Sequence, residues 1–247
     1  MRIRTIKTEK VLPRSTTLIA LLDHSLKKFP ERTILVITSK VVALCEGRIL
    51  PHGKIHEVTL QAEADYYLPK EKSRYGVPIT IKDNAFIARA GIDASNTSGY
   101  YSLLPRDSYA TARKVRNYLV KRFSVKEVGV IIVDSHSSPL RRGVTGVAIG
   151  WSGFKGLKGY EHVTDIFDRY FTTHANHVDA LATAASFTMG EGNEQTPLVL
   201  ITQVPNIEFS AESPTPAELT YFKPPLKDDL FAPLFDWRKL KKGRPKA

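Results

Sequence analysis

One cysteine, Cys45, stands in a chain of 247 residues, so no disulfide can close within it. That excludes the small secreted folds framed by disulfides and agrees with a reducing compartment. Long apolar runs are missing too. None approaches the roughly 18 residues needed to cross a bilayer, and Met1-Arg2-Ile3-Arg4-Thr5 leads into a strand pattern with no apolar signal-peptide core. The expectation is a cytoplasmic protein that does not engage a membrane. Zinc-type spacing is lacking: His174 and His177 stand three apart, but no cysteine or third histidine accompanies them. There is no Gly-x-x-x-x-Gly-Lys loop, and the glycines from Gly146 to Gly159 lack the strand-to-helix setting of a dinucleotide fingerprint. No internal repeat of solenoid period is present. Acids are few beside bases, 25 against 36, which leaves a formal charge of +11.

What is present belongs to an ordinary globular protein, 42% hydrophobic and 25% charged, long enough for one large domain or two small ones. Ile3 to Ile6 alternates as a strand. Thr17 to Phe29 carries Leu18, Leu21, Leu22 and Leu26 at helical spacing before Pro30 stops it. The β-branched run Thr33 to Val42 follows, with Cys45 read on a strand-like continuation as a buried structural thiol. His56 to Tyr67 reads as helix, Val77 to Ile81 and Ala85 to Ala88 as a hairpin around Lys82-Asp83-Asn84, and Asp107 to Phe123 as a helix feeding a strand at Val128 to Val133. Val144 to Trp151 suggests another central strand. His174 to Met189, rich in alanine, fits a closely packed helix, and Leu198 to Val204 a last strand.

After Pro205 the composition changes, with six prolines from Pro205 to Pro233 and aromatics at Phe209, Tyr221, Phe222, Phe231, Phe235 and Trp237. The division expected is a catalytic body at 1–205 and a Pro-rich extension at 206–247 that docks on something through its aromatics. From Asp236 to Ala247 six bases face one acid, a basic tail that is either a solvated end or an arm for phosphates.

The chemistry gathers where apolar runs stop. Val128 to Val133 ends in Asp134-Ser135-His136, with Arg141-Arg142 just beyond, and Ala88-Arg89-Ala90-Gly91-Ile92 ends in Asp93, with Ser95-Asn96 following. Glu191 follows the alanine-rich helix in the polar stretch Met189-Gly190-Glu191-Gly192-Asn193. Asp93, Asp134 and Glu191, with the Ser135 hydroxyl, are hard oxygen donors suited to Mg²⁺ or Mn²⁺. Taken singly, each could equally cap a helix or accept turn amides. Phosphates bridged by such a metal need cations, and Lys40, Arg48, Arg89, Arg141 and Arg142 sit beside the motifs. His136 is a substrate contact or a hydrogen-bonded loop residue.

Together these segments resemble the coenzyme F-420-0: L-glutamate ligase family. The likeness is carried by Thr38-Ser39-Lys40-Val41-Val42 with Glu46-Gly47-Arg48, Ala90-Gly91-Ile92-Asp93 with Ser95-Asn96, Asp134-Ser135 with Pro139 and Arg141-Arg142-Gly143, Gly146 to Gly150, Asp165, Asp179, and Met189-Gly190-Glu191. They run in family order over about four-fifths of the chain. The resemblance implies an α+β fold of mixed and antiparallel sheets with flanking helices, intertwined as a homodimer. It implies a GTP-dependent γ-glutamyl ligase using two divalent ions, Mg²⁺ or Mn²⁺, with a monovalent cation such as K⁺. Asp93, Asp134, Ser135 and Glu191 match its metal positions. Ser39, Lys40, Asn96 and the loop with Met189, Gly190, Gly192 and Asn193 match its nucleotide positions, and Asp93, Asp134 and Arg141 are the catalytic candidates. L-glutamate would be joined to a coenzyme F-420-0 or folate-type acceptor.

The chain also departs from the pattern. Leu44 stands where the family commonly has a lysine, Arg89 replaces an asparagine, Leu140 a tryptophan, and His136-Ser137-Ser138 a Thr/Phe-Gly-Arg type of segment. These changes leave the acceptor open between deazaflavin and folate. Two competing readings remain: a non-catalytic nucleic-acid binder using the basic tail, which ranks below the ligase, and a purely structural dimer module.

Overall fold

The β-branched runs of the sequence become the strands of one mixed sheet. In the computed structural model, which describes residues 1–53, 57–73, 75–83 and 85–244, the chain opens with β1 (Arg2–Ile6), α1 (Leu18–Ser25), β2 (Thr33–Thr38) and α2 (Ser39–Glu46). It continues through β3 (Ile49–Pro51), α3 (Glu57–Glu63), β4 (Tyr66–Leu68), β5 (Ile79–Lys82), β6 (Ala85–Ala88) and β7 (Tyr100–Ser102). Then come α4 (Ser108–Phe123), β8 (Val128–His136), β9 (Thr145–Ser152), β10 (Leu157–Gly159), β11 (His174–Asn176), α5 (His177–Met189), β12 (Leu198–Thr202), α6 (Pro216–Phe222) and β13 (Lys241–Lys242). The fold is α+β. Among the described residues no helix is long and apolar enough to cross a membrane.

The main sheet has the order β1-β12-β2-β8-β9, with only the β2–β8 pair parallel. Both faces of β2 are covered, which is why Ile34-Leu35-Val36-Ile37 reads as a continuous apolar run. Leu35 and Ile37 join Leu22 and Leu26 of the α1 region and Val115 and Leu119 of α4 in one core, while Ile34 and Val36 join Val178, Leu181, Ala182 and Ala185 of α5 in the other. Alanines on α5 let it approach β9 closely. A Cβ on Gly146 would lie 2.6 Å from the Ala182 carbonyl oxygen, so this contact needs glycine.

Several expected elements end elsewhere. α1 stops at Ser25 because Leu26 turns extended (φ −103°, ψ 104°), which sends Leu26 and Phe29 into the core. The run Thr33 to Val42 breaks at Thr38 into strand and helix, so Cys45 sits on α2 rather than on a strand. Burial pushes its thiol up to about 11, with Glu46 adding to the shift, so it is not a thiolate near neutral pH. β9 is an edge strand and not a central one. The stretch read as one helix to Tyr67 is α3 followed by β4; His56, like Asn84 in the hairpin turn, lies outside the described residues.

A second sheet, β13-β4-β5-β6, is wholly antiparallel. From its last strand the chain passes through a single 3-10 turn at Arg89–Gly91 to Asp93, so this sheet positions that carboxylate. The segment after Pro205 runs from one sheet to the other. Phe222 packs edge-on against Trp151 at 4.8 Å, and Phe235 meets Phe86 at 5.2 Å. Lys241–Lys242 then pairs with β4, so the described part of the basic tail is bound to the body instead of extending freely. The Trp237 side chain, Pro245 and Lys246 lie outside what is described.

Candidate active site

The C-terminal ends of β2 and β8 open into a cleft of about 760 Å³. Its walls come from the Thr8 to Leu12 stretch after β1, the start of α2, the 91–98 segment, the end of β8 and the 189–197 loop. Ser39, Lys40, Asp93, Asn96, Asp134, Ser135, Met189, Gly190, Glu191, Gly192 and Asn193 all line it. Segments as far apart in sequence as Thr8 to Leu12 and the 189–197 loop therefore converge on one space.

Each acid is held by a neighbour. Pairing of β8 with β9 shifts register between Ile132 and Val133, a bulge of the kind that re-aims the side chains beyond it. The Asp134 carboxyl accepts a 2.5 Å bond from the hydroxyl of Ser39, itself buried in the first turn of α2. Burial pushes Asp134 up to about 6, against the Ser39 hydrogen bond and the Lys40 charge that favour ionisation. Asp93 moves the other way. Burial raises it, but hydrogen bonds from the Lys40 ammonium and the Ser95 hydroxyl and amide outweigh this and hold it below the usual carboxylate range. Ser95 Oγ donates to Asp93 at 2.6 Å, and Lys40 Nζ contacts both Asp93 and, at 2.6 Å, Ser95 Oγ. Ser135 Oγ lies 2.9 Å from both Glu191 oxygens. The 189–197 loop is tied down by Asn96 Nδ2 donating to the Gly192 carbonyl at 2.8 Å and by Thr196 Oγ1 donating to that of Met189 at 2.8 Å.

The candidate ligands are thus an acidic, all-oxygen donor set with the Lys40 ammonium held against Asp93. Asp93, Asp134, Ser135 and Glu191 offer ligands that suit a hard divalent ion. Among the described residues no three His, Cys, Asp or Glu side chains already form a metal cluster. The carboxylates face their own partners, and Lys40 fills the cationic position at Asp93.

Arg141 is not among the cleft-lining residues. It is exposed, and its guanidinium bonds the Leu140 carbonyl at 3.1 Å. Arg48 is committed to Glu63 at 2.6 Å. Of the departures from the family pattern, Leu44, His136 and Ser137 line the cleft, Leu140 is 96% exposed, and Arg89 lines a separate cavity beside Tyr67 and Tyr101. Two motif acids have plain structural roles. Asp179 accepts from the Ala148 amide at 2.9 Å and Asn176 at 2.6 Å, and Asp165 accepts from the Phe167 and Arg169 amides at 2.8 and 3.0 Å. The sequence reading did not identify Ser95 as the clamp on Asp93, although Asp-x-Ser is a spacing at which an aspartate meets the amide two residues on. Nor did it place Thr8 to Leu12 in the wall, since that stretch has no motif of its own.

Comparison with known proteins shows the family. The family model described as F420-0:Gamma-glutamyl ligase matches residues 2–203. The chain is 40% identical over 192 residues to a protein of Methanococcus maripaludis named Coenzyme F420:L-glutamate ligase, covering 71% of this chain and 77% of the relative. It is 32% identical over 200 residues to the Archaeoglobus fulgidus protein of that name, covering 74% and 80%. It is 30% identical over 206 residues to that of Methanothermobacter thermautotrophicus, covering 76% and 81%.

Proposed function

Because this chain belongs to the F420-0:gamma-glutamyl ligase family and is an amide-forming γ-glutamyl ligase, we propose that its cleft joins L-glutamate to a coenzyme F-420-0 type acceptor at the expense of GTP. The observation that carries this reading is the meeting of Asp93, Asp134 and Glu191 with Lys40 in one cleft.

A carboxylate resists amine attack because its leaving group would be oxide. Its oxygen attacks the γ-phosphorus of the nucleotide, the bond to the β-γ bridging oxygen breaks, and an acyl phosphate and nucleoside diphosphate result. The glutamate amine then forms the C–N bond, phosphate leaves with the C–O bond electrons, and the nitrogen loses a proton. Mg²⁺ or Mn²⁺ held by Asp93, Asp134, Ser135 and Glu191, with K⁺ nearby, would neutralise the triphosphate facing the acceptor carboxylate. The chain's own groups do the rest. Ser39 and Ser95 hold Asp134 and Asp93 in place, Lys40 presents an ammonium to anionic groups entering the cleft, and Asn96 fixes the loop against which the nucleotide packs. A folate-type acceptor is the second reading, favoured by Leu44, His136 and Ser137 in the wall.

The β10–β11 connection supports a homodimer. Its turn, organised by Asp165, exposes Val163, Ile166, Phe167 and Tyr170, with Phe167 76% exposed, and such apolar patches mark interfaces. Sedimentation of Phe167→Ser at micromolar concentration is expected to show monomer where the parent is dimer. The site of action is the cytoplasm, which supplies nucleoside triphosphate.

The test is incubation with labelled L-glutamate, Mg²⁺ or Mn²⁺, each nucleoside triphosphate, and F-420-0 or folate acceptors, with mass analysis of products. A glutamyl increment on F-420-0 with GTP is expected. No increment on any acceptor, or wild-type turnover by Asp93→Asn or Asp134→Asn, overturns the reading.

A further inference from the structure

The formal charge of +11 is not explained by a ligase cleft, and a large share of it is carried by one helix. Between Arg106 and Lys126 there are seven bases and one acid, and that acid, Asp107, is used as the N-cap of α4, accepting from the Ala110 amide at 2.8 Å. Along α4 the buried residues are Ala112, Val115 and Leu119. At 100° per residue, Arg113, Lys114, Asn117 and Lys121 fall together within about a quarter to a third of the circumference on the opposite side, and all four are exposed. Arg113 and Lys121 stand roughly 12 Å apart along the axis.

The acids around this face are already engaged. Asp23 is taken by Tyr118 at 2.5 Å and Arg122 at 2.7 Å, Glu31 accepts the Lys126 amide at 2.8 Å, and Glu127 pairs with Arg32 at 2.6 Å. Among the described residues Arg113, Lys114 and Lys121 form no ion pair. A cationic surface without internal counter-charge attracts a partner that brings negative charge in a row.

Which polyanion fits follows from what the face does not carry. Among the described residues no large apolar side chain is exposed anywhere from Leu18 to Phe29 or from Arg106 to Glu127. Membrane-surface helices need an apolar side to insert, protein interfaces need aromatic or aliphatic anchors, and single-stranded nucleic acid needs exposed rings on which bases stack. A double-stranded nucleic acid needs none of these, since its phosphates are read by lysine and arginine alone. We propose that the exposed face of α4 is a sequence-independent binding surface for duplex nucleic acid. None of Arg113, Lys114, Asn117 and Lys121 lines the cleft. Binding there leaves the ligase site free.

Fluorescence anisotropy of the full chain with a labelled 24-base-pair duplex, DNA in one arm and RNA in the other, at 20 to 200 mM KCl tests this. The expected log–log salt slope is about −3 to −5. Arg113→Gln/Lys114→Gln/Lys121→Gln should flatten it by about 2 to 3, weaken binding at least tenfold at low salt, and leave glutamate transfer unchanged. Lys70→Gln/Lys72→Gln, equally exposed on another face, is expected to change neither. Unaltered duplex affinity in the triple variant overturns the assignment, as does binding to anionic vesicles or single strands in preference to duplex. Circular dichroism confirms that the variants are folded. Loss of glutamate transfer with duplex binding intact would count against the ligase reading and not against this one.

Discussion

Ser39 Oγ donates a 2.5 Å hydrogen bond to Asp134 Oδ1, joining the first residue of α2 to the tip of β8 across 95 positions of sequence. This bond favours the ionised carboxylate, yet burial prevails and Asp134 rests at about 6. The group therefore binds its proton more tightly folded than unfolded. Its contribution to stability is present below the ordinary aspartate value near 3.8 and is lost as pH rises towards 6. Asp134→Asn in metal-free buffer is then expected to stabilise the protein at pH 7 by about 1 to 2 kcal/mol, discounted for the partial exposure of the residue, and to leave stability unchanged at pH 3.5. Thermal melts at the two pH values check this; a lower melting temperature for the variant at pH 7 would sink it. Activity is lost in the same variant, the usual relation where a site stores unfavourable charge.

Lys40 lies between Asp93 and Ser95, an ammonium set directly against a cleft carboxylate. Lys40→Met keeps most of the length of the side chain and removes the charge. Asp93 then loses a cause of its depressed value, and anions entering the cleft lose a partner. A fall in kcat/KM of about 10²- to 10³-fold, roughly 3 to 4 kcal/mol, is expected with the melting temperature within a few degrees of the parent. Retained turnover would remove Lys40 from the reaction and leave it as a counter-ion for Asp93.

Asn96 adopts a left-handed backbone (φ 55°) and reaches the Gly192 carbonyl at 2.8 Å. Asn96→Ala takes away this tie and leaves a conformation that alanine adopts less readily. Its expected effect is on nucleotide affinity: KM for the nucleotide rises about five- to tenfold while kcat changes less than threefold, because the loop is loosened and the acids stay where they are. An equal fall in kcat with KM unaltered would place Asn96 at the reacting atoms instead.

These sites differ in how far the sequence announced them. Asp93, Asp134 and Glu191 are legible because each follows an apolar run whose burial is dictated by composition, and a polar residue at such a tip faces solvent or ligand. Ser39 is legible only as a neighbour of Lys40. That it serves Asp134 depends on the parallel register of β2 with β8, in which Thr38 faces Val133, and no local pattern encodes such a pairing. Cys45 was misplaced because Thr33 to Leu44 is apolar enough for strand or helix, and the break at Thr38 has neither proline nor glycine to mark it. Arg141 shows the opposite error. Proximity in sequence to Asp134 suggested a shared site, but past His136 the chain leaves β8, and an exposed arginine answers to solvent. The docking of the last strand had no sequence cue either, for two lysines read as a solvated end.

That last strand yields a test of how the second sheet is held. Lys241–Lys242 adds an edge to β4, and Gly243 follows with its amide donating to the Asp65 carbonyl at 2.7 Å and the Arg244 amide donating to that of Gln61 at 2.6 Å. A Cβ on Gly243 would lie 1.6 Å from the Ala64 carbonyl oxygen, a backbone atom that cannot rotate away. Gly243→Val must therefore detach the strand or displace α3. Detachment exposes the edge of β4 and frees the Phe235 contact with Phe86, while the main sheet, whose edges are β1 and β9, is untouched. The expected loss of stability is about 1 to 3 kcal/mol. Amide exchange is expected to quicken in β4 and β5 and not in β2 or β8, and trypsin to cut after Lys241 or Lys242 under conditions in which the parent resists. Because β6 leads through the Arg89–Gly91 turn to Asp93, a modest rise in acceptor KM should accompany these changes. Parent-like protease resistance in Gly243→Val would mean that the docked tail does not hold the second sheet in place.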